Sequence, residues 1–354
     1  MANRKNLRKK SEALDKKNKL IRKERIDRGI FVRSADIFAL SSWQEMTYLL
    51  LPRAIPFALL LILPLVLELS GNSYWAKVVV VFAILGMMAM SWDLLRMAGM
   101  FSLGQALFFG LGSYISAALN HYFHWPIYLT IPAGAIGGAL LGTAFLMGTL
   151  KLRGIYFAMV TLAFPMLVIR VIQATNFLGG TEGVSATAFP NFWVAAYVSI
   201  AALIICFFSF RRMMSSDWGL VARAIGQDDI AVTASGINVF WRKVQVLFIA
   251  SGAAAFAGTL MTHLLMYAGL SSFSLEYSIL PVASVVIGGS GNFAGALLGS
   301  TILTFATEAL RDLGPLRIAL YSLLMVVFAL AIREGIFPYI ERRYRQFERK
   351  VDVI

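Results

Sequence analysis

Residues 96–114, RMAGMFSLGQALFFGLGSY, set four glycines, two serines and a glutamine into an otherwise apolar run. A simple lipid-facing anchor would use leucine at such positions. Small residues let helices approach closely, and polar groups at bilayer depth must find partners or line a cavity. The stretch therefore reads as a membrane helix that faces other protein, as in a transport core.

The rest of the chain supports a membrane setting. Over 354 residues, 58% are hydrophobic, only 14% are charged, and mean hydropathy is +0.72, which leaves too little polar surface for a soluble domain. Apolar blocks near the ~20 residues that cross the hydrocarbon recur at 54–70, 75–95, 99–120, 126–149, 155–175, 190–210, 244–268 and 316–332. One more, 279–306, is interrupted by Gly288, Gly289, Ser290, Gly291 and Asn292. Its first part, 279–287, is too short to cross alone and suits half of a re-entrant hairpin.

Charge sets the expected orientation. From Arg4 to Arg33, 13 Lys and Arg face four acids, so this segment supplies 9 of the formal +13. It has no apolar core and no small-residue cleavage site, and is expected to be a cytoplasmic tail touching anionic lipid, not a signal peptide. Lys151 and Arg153 follow the fourth block, and Arg211, Arg212, Arg223, Arg242 and Lys243 follow the sixth, so both loops are expected inside. Nine simple spans would leave the basic C-terminal tail outside. Counting the broken block twice gives an all-α polytopic bundle of about ten membrane segments, with both termini cytoplasmic. The expected domains are a basic tail at 1–45, a transmembrane domain at 46–337 with a cytoplasmic loop at 211–243, and a C-terminal tail at 338–354.

Glycines recur every fourth residue at Gly134, Gly138 and Gly142, and again at Gly291, Gly295 and Gly299, where each stripe suits close helix contact. The loop SSDWGLVARAIGQDDIAVTASGINVFWRK, 215–243, carries two short helices. Asp217 can cap the first, whose Trp218, Val221, Ala222 and Ile225 share one face. Asp228 or Asp229 can cap the second, through Ala231 and Ala234, with Gly236 placed to end it. The apolar side either packs on the membrane domain or docks a soluble partner.

No G-x-x-x-x-G-K-[ST] loop is present, so no phosphate cradle marks ATP hydrolysis by this chain. No catalytic or metal-binding set emerges: Cys206 is a lone residue of an apolar span, His121 and His124 in HYFHW suit an interfacial turn, and His263 suits an interhelical hydrogen bond. Arg170, ~22 Å along its helix from Ile155, either meets a substrate carboxylate or snorkels to the interface. Ser102 and Gln105 either contact a translocating solute or hold neighbouring helices. Glu182, in the outer loop, either contacts a partner or is a solvated turn.

Five stretches together resemble the M-type permease of the high-affinity branched-chain amino acid ABC importers: AGMFSLGQALFFGLGSY (98–114), LRGIYFAMVTLAF (152–164), LGGTEGV (178–184), WGLVARAIGQDDIAVTASGINV (218–239) and VIGGSGNFAGALLG (286–299). They occur in the family's order and cover about 85–330. The chain departs from the family at Arg96, Met97, Met100 and Gln105, where a glycine, an aromatic, a glutamine and a histidine are usual. The resemblance implies an alternating-access permease in a bacterial inner membrane, with no cofactor of its own, ATP and Mg being held by two ABC ATPase subunits. It also implies a second, H-type permease, an extracytoplasmic solute-binding protein, and no nucleic acid. By the same resemblance, Trp218, Arg223, Ala224, Asp228, Asp229, Ala231, Ala234 and Gly236 form the ATPase-coupling element. Ser102, Gly104, Gln105, Arg170, Gly288, Gly289 and Gly291 are candidates for the translocation path or helix packing, and Gly179, Gly180 and Glu182 for binding-protein contact. Urea, short amides or other small polar solutes are alternative cargoes. An ion-coupled secondary carrier is the alternative from another class; it would need carboxylates buried in spans, where only Glu68 and Asp93 are near at hand.

Overall fold

The computed structural model describes residues 21–25, 57–69, 71, 73–175, 177–310, 316, 335–339 and 348–352. Their elements in chain order are β1 (Ile21–Arg25), α1 (Phe57–Leu69), α2 (Ser73–Met97), α3 (Gln105–Phe123), α4 (Ile127–Met147), α5 (Ile155–Thr175), β2 (Val184–Ser185) and α6 (Phe192–Met214). There follow α7 (Asp217–Gln227), α8 (Asp229–Ala234), α9 (Val239–Leu265), β3 (Tyr267–Ala268), α10 (Glu276–Gly288), α11 (Phe293–Ala309) and β4 (Glu348–Asp352). The strands are two small additions to an otherwise helical chain. β1 pairs antiparallel with β4 in a terminal unit of its own, and β2 pairs with β3 in the helical unit.

Helix length and polarity decide which helix lies where. α2, at 25 residues, is ~37 Å long, enough to cross a hydrocarbon core of ~30 Å. It is apolar on every side, and its most apolar stretch is 89% buried, whereas that of α5 is 28% buried. A helix hydrophobic all round belongs in the middle of the bundle, and α2 contacts α6, α9, α10 and α11. α5 lies at the edge, with Ile155, Tyr156, Met159 and Leu167 exposed.

Among the described residues, five helices are long and apolar enough to cross a membrane, and six spans result if the α10–α11 pair is counted as one. The chain is a multi-pass membrane protein. α3 fails that test because Gln105, Ser113, Ser116, Asn120 and its glycines dilute its hydropathy, yet it is almost wholly buried, sandwiched against α4 and α9. Helices of the described residues match nine of the ten expected segments; the tenth, 316–332, lies almost entirely outside the described residues, as do most of both tails.

The first glycine stripe faces α3 and α9. A Cβ on Gly138 would lie 3.0 Å from the Gly112 amide nitrogen and 2.6 Å from the Ala255 Cβ, and one on Gly134 would lie 2.6 Å from Thr259 Cγ2. In the second stripe, Gly295 and Gly299 seat α11 on the backbone of α10, while Gly291 lies in the break between them. Close packing therefore uses both stripes. At Gly289–Asn292 the chain bends by 114°, so that α10 and α11 form a broken or re-entrant pair.

Candidate functional site

One end of the bundle gathers the residues expected to couple. Ser216 is the N-cap residue of α7, but its hydroxyl donates back to the Met213 carbonyl at 2.6 Å and makes no capping bond, and Asp217 sits in the first turn, where a carboxylate favours the helix dipole. Gly219, Ala222 and Ile225 are buried against the membrane unit, with Trp218 and Val221 half-buried beside them. The apolar face of α7 is thus covered by the chain's own helices, and Trp218 Nε1 donates to Gln245 Oε1 at 3.0 Å. Arg223 donates to the Met214 carbonyl, and the Ala224 carbonyl accepts from the Asp228 amide at 2.9 Å.

Asp228 caps α8, its side chain accepting from the Ile230 and Ala231 amides at 2.9 and 3.2 Å. Asp229 bridges two cations from separate elements, Arg153 at 3.2 Å and Lys243 at 3.5 Å. That bridge puts the α4–α5 loop and the start of α9 at the same end, as the distribution of positive charge predicts. After Ser235, Gly236 takes φ +82°, in the left-handed region that favours glycine at a helix end. What remains exposed is a second apolar set, Leu220 and Ile230, with Ala231 and Ala234 alongside.

Immediately inside lies a buried polar cluster. Ser102 Oγ accepts from the Gly104 amide at 3.1 Å, the Ser102 carbonyl accepts from Trp92 Nε1 at 2.6 Å, and the Leu103 amide donates to Thr161 Oγ1 at 3.0 Å. A Cβ on Gly104 would stand 2.6 Å from the Thr161 carbonyl oxygen, so glycine is required for α5 to sit this close. Gln105 Nε2 donates to Ser91 Oγ at 3.5 Å, Ser91 Oγ donates onward to the Ala250 carbonyl at 2.8 Å, and Ser278 Oγ receives the Ala106 amide at 3.1 Å. Four helices, α2, α3, α9 and α10, meet here, and among the described residues Gln105 Oε1 is buried with no hydrogen-bond partner. Such an acceptor is suited to a donor-bearing solute or a water.

Beside that cluster Asp93, fully buried, accepts from Arg96 Nε at 3.1 Å and from the Gly291 amide at 3.0 and 3.3 Å. The break residues Gly288, Gly289 and Gly291 are thereby joined to α2. Arg170 is not part of this assembly: it is exposed and donates to Gln173 on its own helix at 3.3 Å. Sequence reading singled out Ser102, Gly104 and Gln105 but passed over Thr161 and Ser278. Each of these works through contacts distant in sequence and carries no local signature.

The opposite end is closed by β2 and β3. Leu178, Gly179, Gly180 and Gly183 all have positive φ, folding the LGGTEGV segment so that Glu182 is exposed while its carbonyl accepts from Tyr267 Oη at 2.7 Å. His121 Nδ1 pairs with Ser185 Oγ at 3.1 Å, and His124 ends α3 in a left-handed turn. His263 joins three elements, meeting Ser116 Oγ at 2.9 Å, Thr130 Oγ1 at 3.0 Å and the Thr187 carbonyl at 2.8 Å.

A family profile described as the branched-chain amino acid transport system permease component matches residues 74–332, a span that holds both the α7–α8 pair and the broken helix. The chain belongs to this family. Among its relatives, the high-affinity branched-chain amino acid transport system permease protein LivM of Salmonella typhimurium and that of Escherichia coli are each 27% identical over 276 residues, 68% of this chain. The match spans 64% of the length of each. The ribose import permease protein RbsC of Haemophilus influenzae is 28% identical over 201 residues, 52% of this chain and 61% of that protein. No solved structure matches.

Proposed function

We propose that this permease is one membrane subunit of an ATP-driven importer that moves branched-chain amino acids inward by alternating access. The observation that carries the reading is the α7–α8 pair: its inner face is packed on the bundle, its outer face leaves Leu220 and Ile230 exposed, and Asp229 clamps it to two further elements. A rigidly mounted, apolar-tipped pair is what a groove on an ATPase subunit can push. In this reading the α7–α8 end faces the cytoplasm and the β2–β3 end meets an extracytoplasmic binding protein through Glu182, with a second, H-type permease and two ATPase subunits completing the assembly. The membrane is a bacterial inner membrane, and ATP and Mg are held by the ATPases.

The likeness to a ribose permease favours a second reading, in which the same scaffold passes another small polar solute. Mild-detergent affinity purification, followed by uptake of labelled leucine, ribose and urea into vesicles holding the recovered assembly, separates the two. Recovery of a second permease and ATPase subunits, lost on Gly236→Pro, is expected, with leucine accumulated on adding ATP. A partner-free, stable protein in both preparations would overturn the importer reading.

A further inference from the structure

Three backbone segments meet around Asp93. A carboxylate with no solvent exposure inside a membrane helix is expensive unless paired, and Arg96, one turn along α2, supplies the charge at 3.1 Å. Yet Asp93 has a second task, holding the Gly291 amide from a site 198 residues further along the chain. Gly291 and Gly289 have φ of +89° and +110°, so the break is built from the residue type that can change its backbone most freely. On its other side the break is met by Gly335, where a Cβ would lie 2.5 Å from the Gly289 amide nitrogen.

The opposite end of the contact leads to α7. Gly226, in the last turn of α7, packs backbone to backbone on the segment that follows Arg96: a Cβ there would collide with the Met97 carbonyl and lie 3.1 Å from the Gly99 amide nitrogen. That segment has little slack, because Ala98 and Met100 both donate to the Leu95 carbonyl, at 3.1 and 3.0 Å, and Gly99 donates to that of Arg96 at 2.9 Å. A displacement of α7 is therefore passed to the end of α2 with no compressible side chain between.

We propose that Asp93 is a positioning residue that transmits displacement of α7 to the glycine break between α10 and α11, through its bond to the Gly291 amide. Resting on the importer reading, this supplies the route by which ATPase movement reaches the membrane core. Arg96 pairs with the carboxylate at 3.1 Å, and the Gly226–Met97 contact is the input.

The test uses the full chain in lipid nanodiscs, carrying Cys206→Ser and Ser290→Cys, with maleimide labelling of the exposed position 290 as the readout. Displacing α7 by Gly226→Leu is expected to change the labelling rate about threefold or more, within the range of coupling such contacts carry. In an Asp93→Ala background the same substitution is expected to add nothing; equal, additive effects in both backgrounds would overturn the proposal. If Asp93→Ala does not fold, Asp93→Leu with Arg96→Met replaces the ion pair by apolar side chains, a change that folded proteins tolerate, and the response must again vanish. In the assembled transporter, Asp93→Ala, which removes the acceptor of the Gly291 amide, is expected to lower kcat for uptake about tenfold with KM within about twofold; unchanged kcat would count against the relay. A wild-type assembly that moves no solute would instead refute the importer reading, while the labelling, which needs no partner, would still decide the role of Asp93.

Discussion

At the scale of single residues, steric exclusion outweighs polar pairing in this bundle. Gly258 on α9 admits α3 so closely that any Cβ would collide with the Phe109 carbonyl, which is helix backbone and cannot swing aside. Gly258→Val is expected to destabilise by about 3 kcal/mol or more, the upper range for overpacking. His263→Ala removes three hydrogen bonds, but interhelical bonds in membranes average only ~0.6 kcal/mol each, so about 1–2 kcal/mol is expected. Thermal unfolding in detergent should rank Gly258→Val below His263→Ala; the reverse order would mean that the polar bridge, not backbone approach, holds α9 in place. The glycine spacing in the sequence pointed to such contacts for Gly134, Gly138 and Gly142. Gly258 has no such stripe, because its partner is a carbonyl on another helix, and nothing local in sequence marks that.

At the scale of elements, α7 and α8 were legible nearly to the residue. The i, i+3, i+4, i+7 pattern gave the buried face of α7, and Asp228 and Gly236 gave the two ends of α8. What sequence left open was what covers that face, and the answer, the chain's own α2, α6 and α9, depends on how helices far apart in sequence converge. Gly236→Ala is expected to strain the turn by about 1 kcal/mol, since φ is +82° but the space for a Cβ is open. Purified partner complexes should therefore survive Gly236→Ala and be lost with Gly236→Pro. The Arg153 arm of the Asp229 clamp is solvent-facing, with that side chain 66% exposed, whereas Asp229 and Lys243 are 22% and 11% exposed, so Asp229→Asn should cost global stability about 1 kcal/mol. Its effect should be local: faster amide exchange across 229–234, and wild type approaching the variant as salt is raised to about 0.5 M, where screening reaches within a few ångströms. Unchanged exchange would show that packing alone mounts α8.

At the scale of the whole molecule, the apolar blocks outlined the described membrane helices and the broken pair, whereas the order of burial, α2 inside and α5 outside, needed the packing itself. Sidedness is testable directly. Cysteine at Glu182 should be labelled by an impermeant reagent from outside intact cells, and cysteine at Ala231 only after permeabilisation; the opposite pattern would invert the topology. One contact also bears on how the chain is made. Asp93 and Gly291 are separated by 198 residues, which at 5–20 residues per second is roughly 10–40 s of synthesis. During that interval the carboxylate sits in the nascent helix with Arg96 as its sole companion from the final pair. The late arrival of the glycine break then completes a site begun early, so a ribosome stalled between the two should leave α2 the segment most dependent on the insertion machinery.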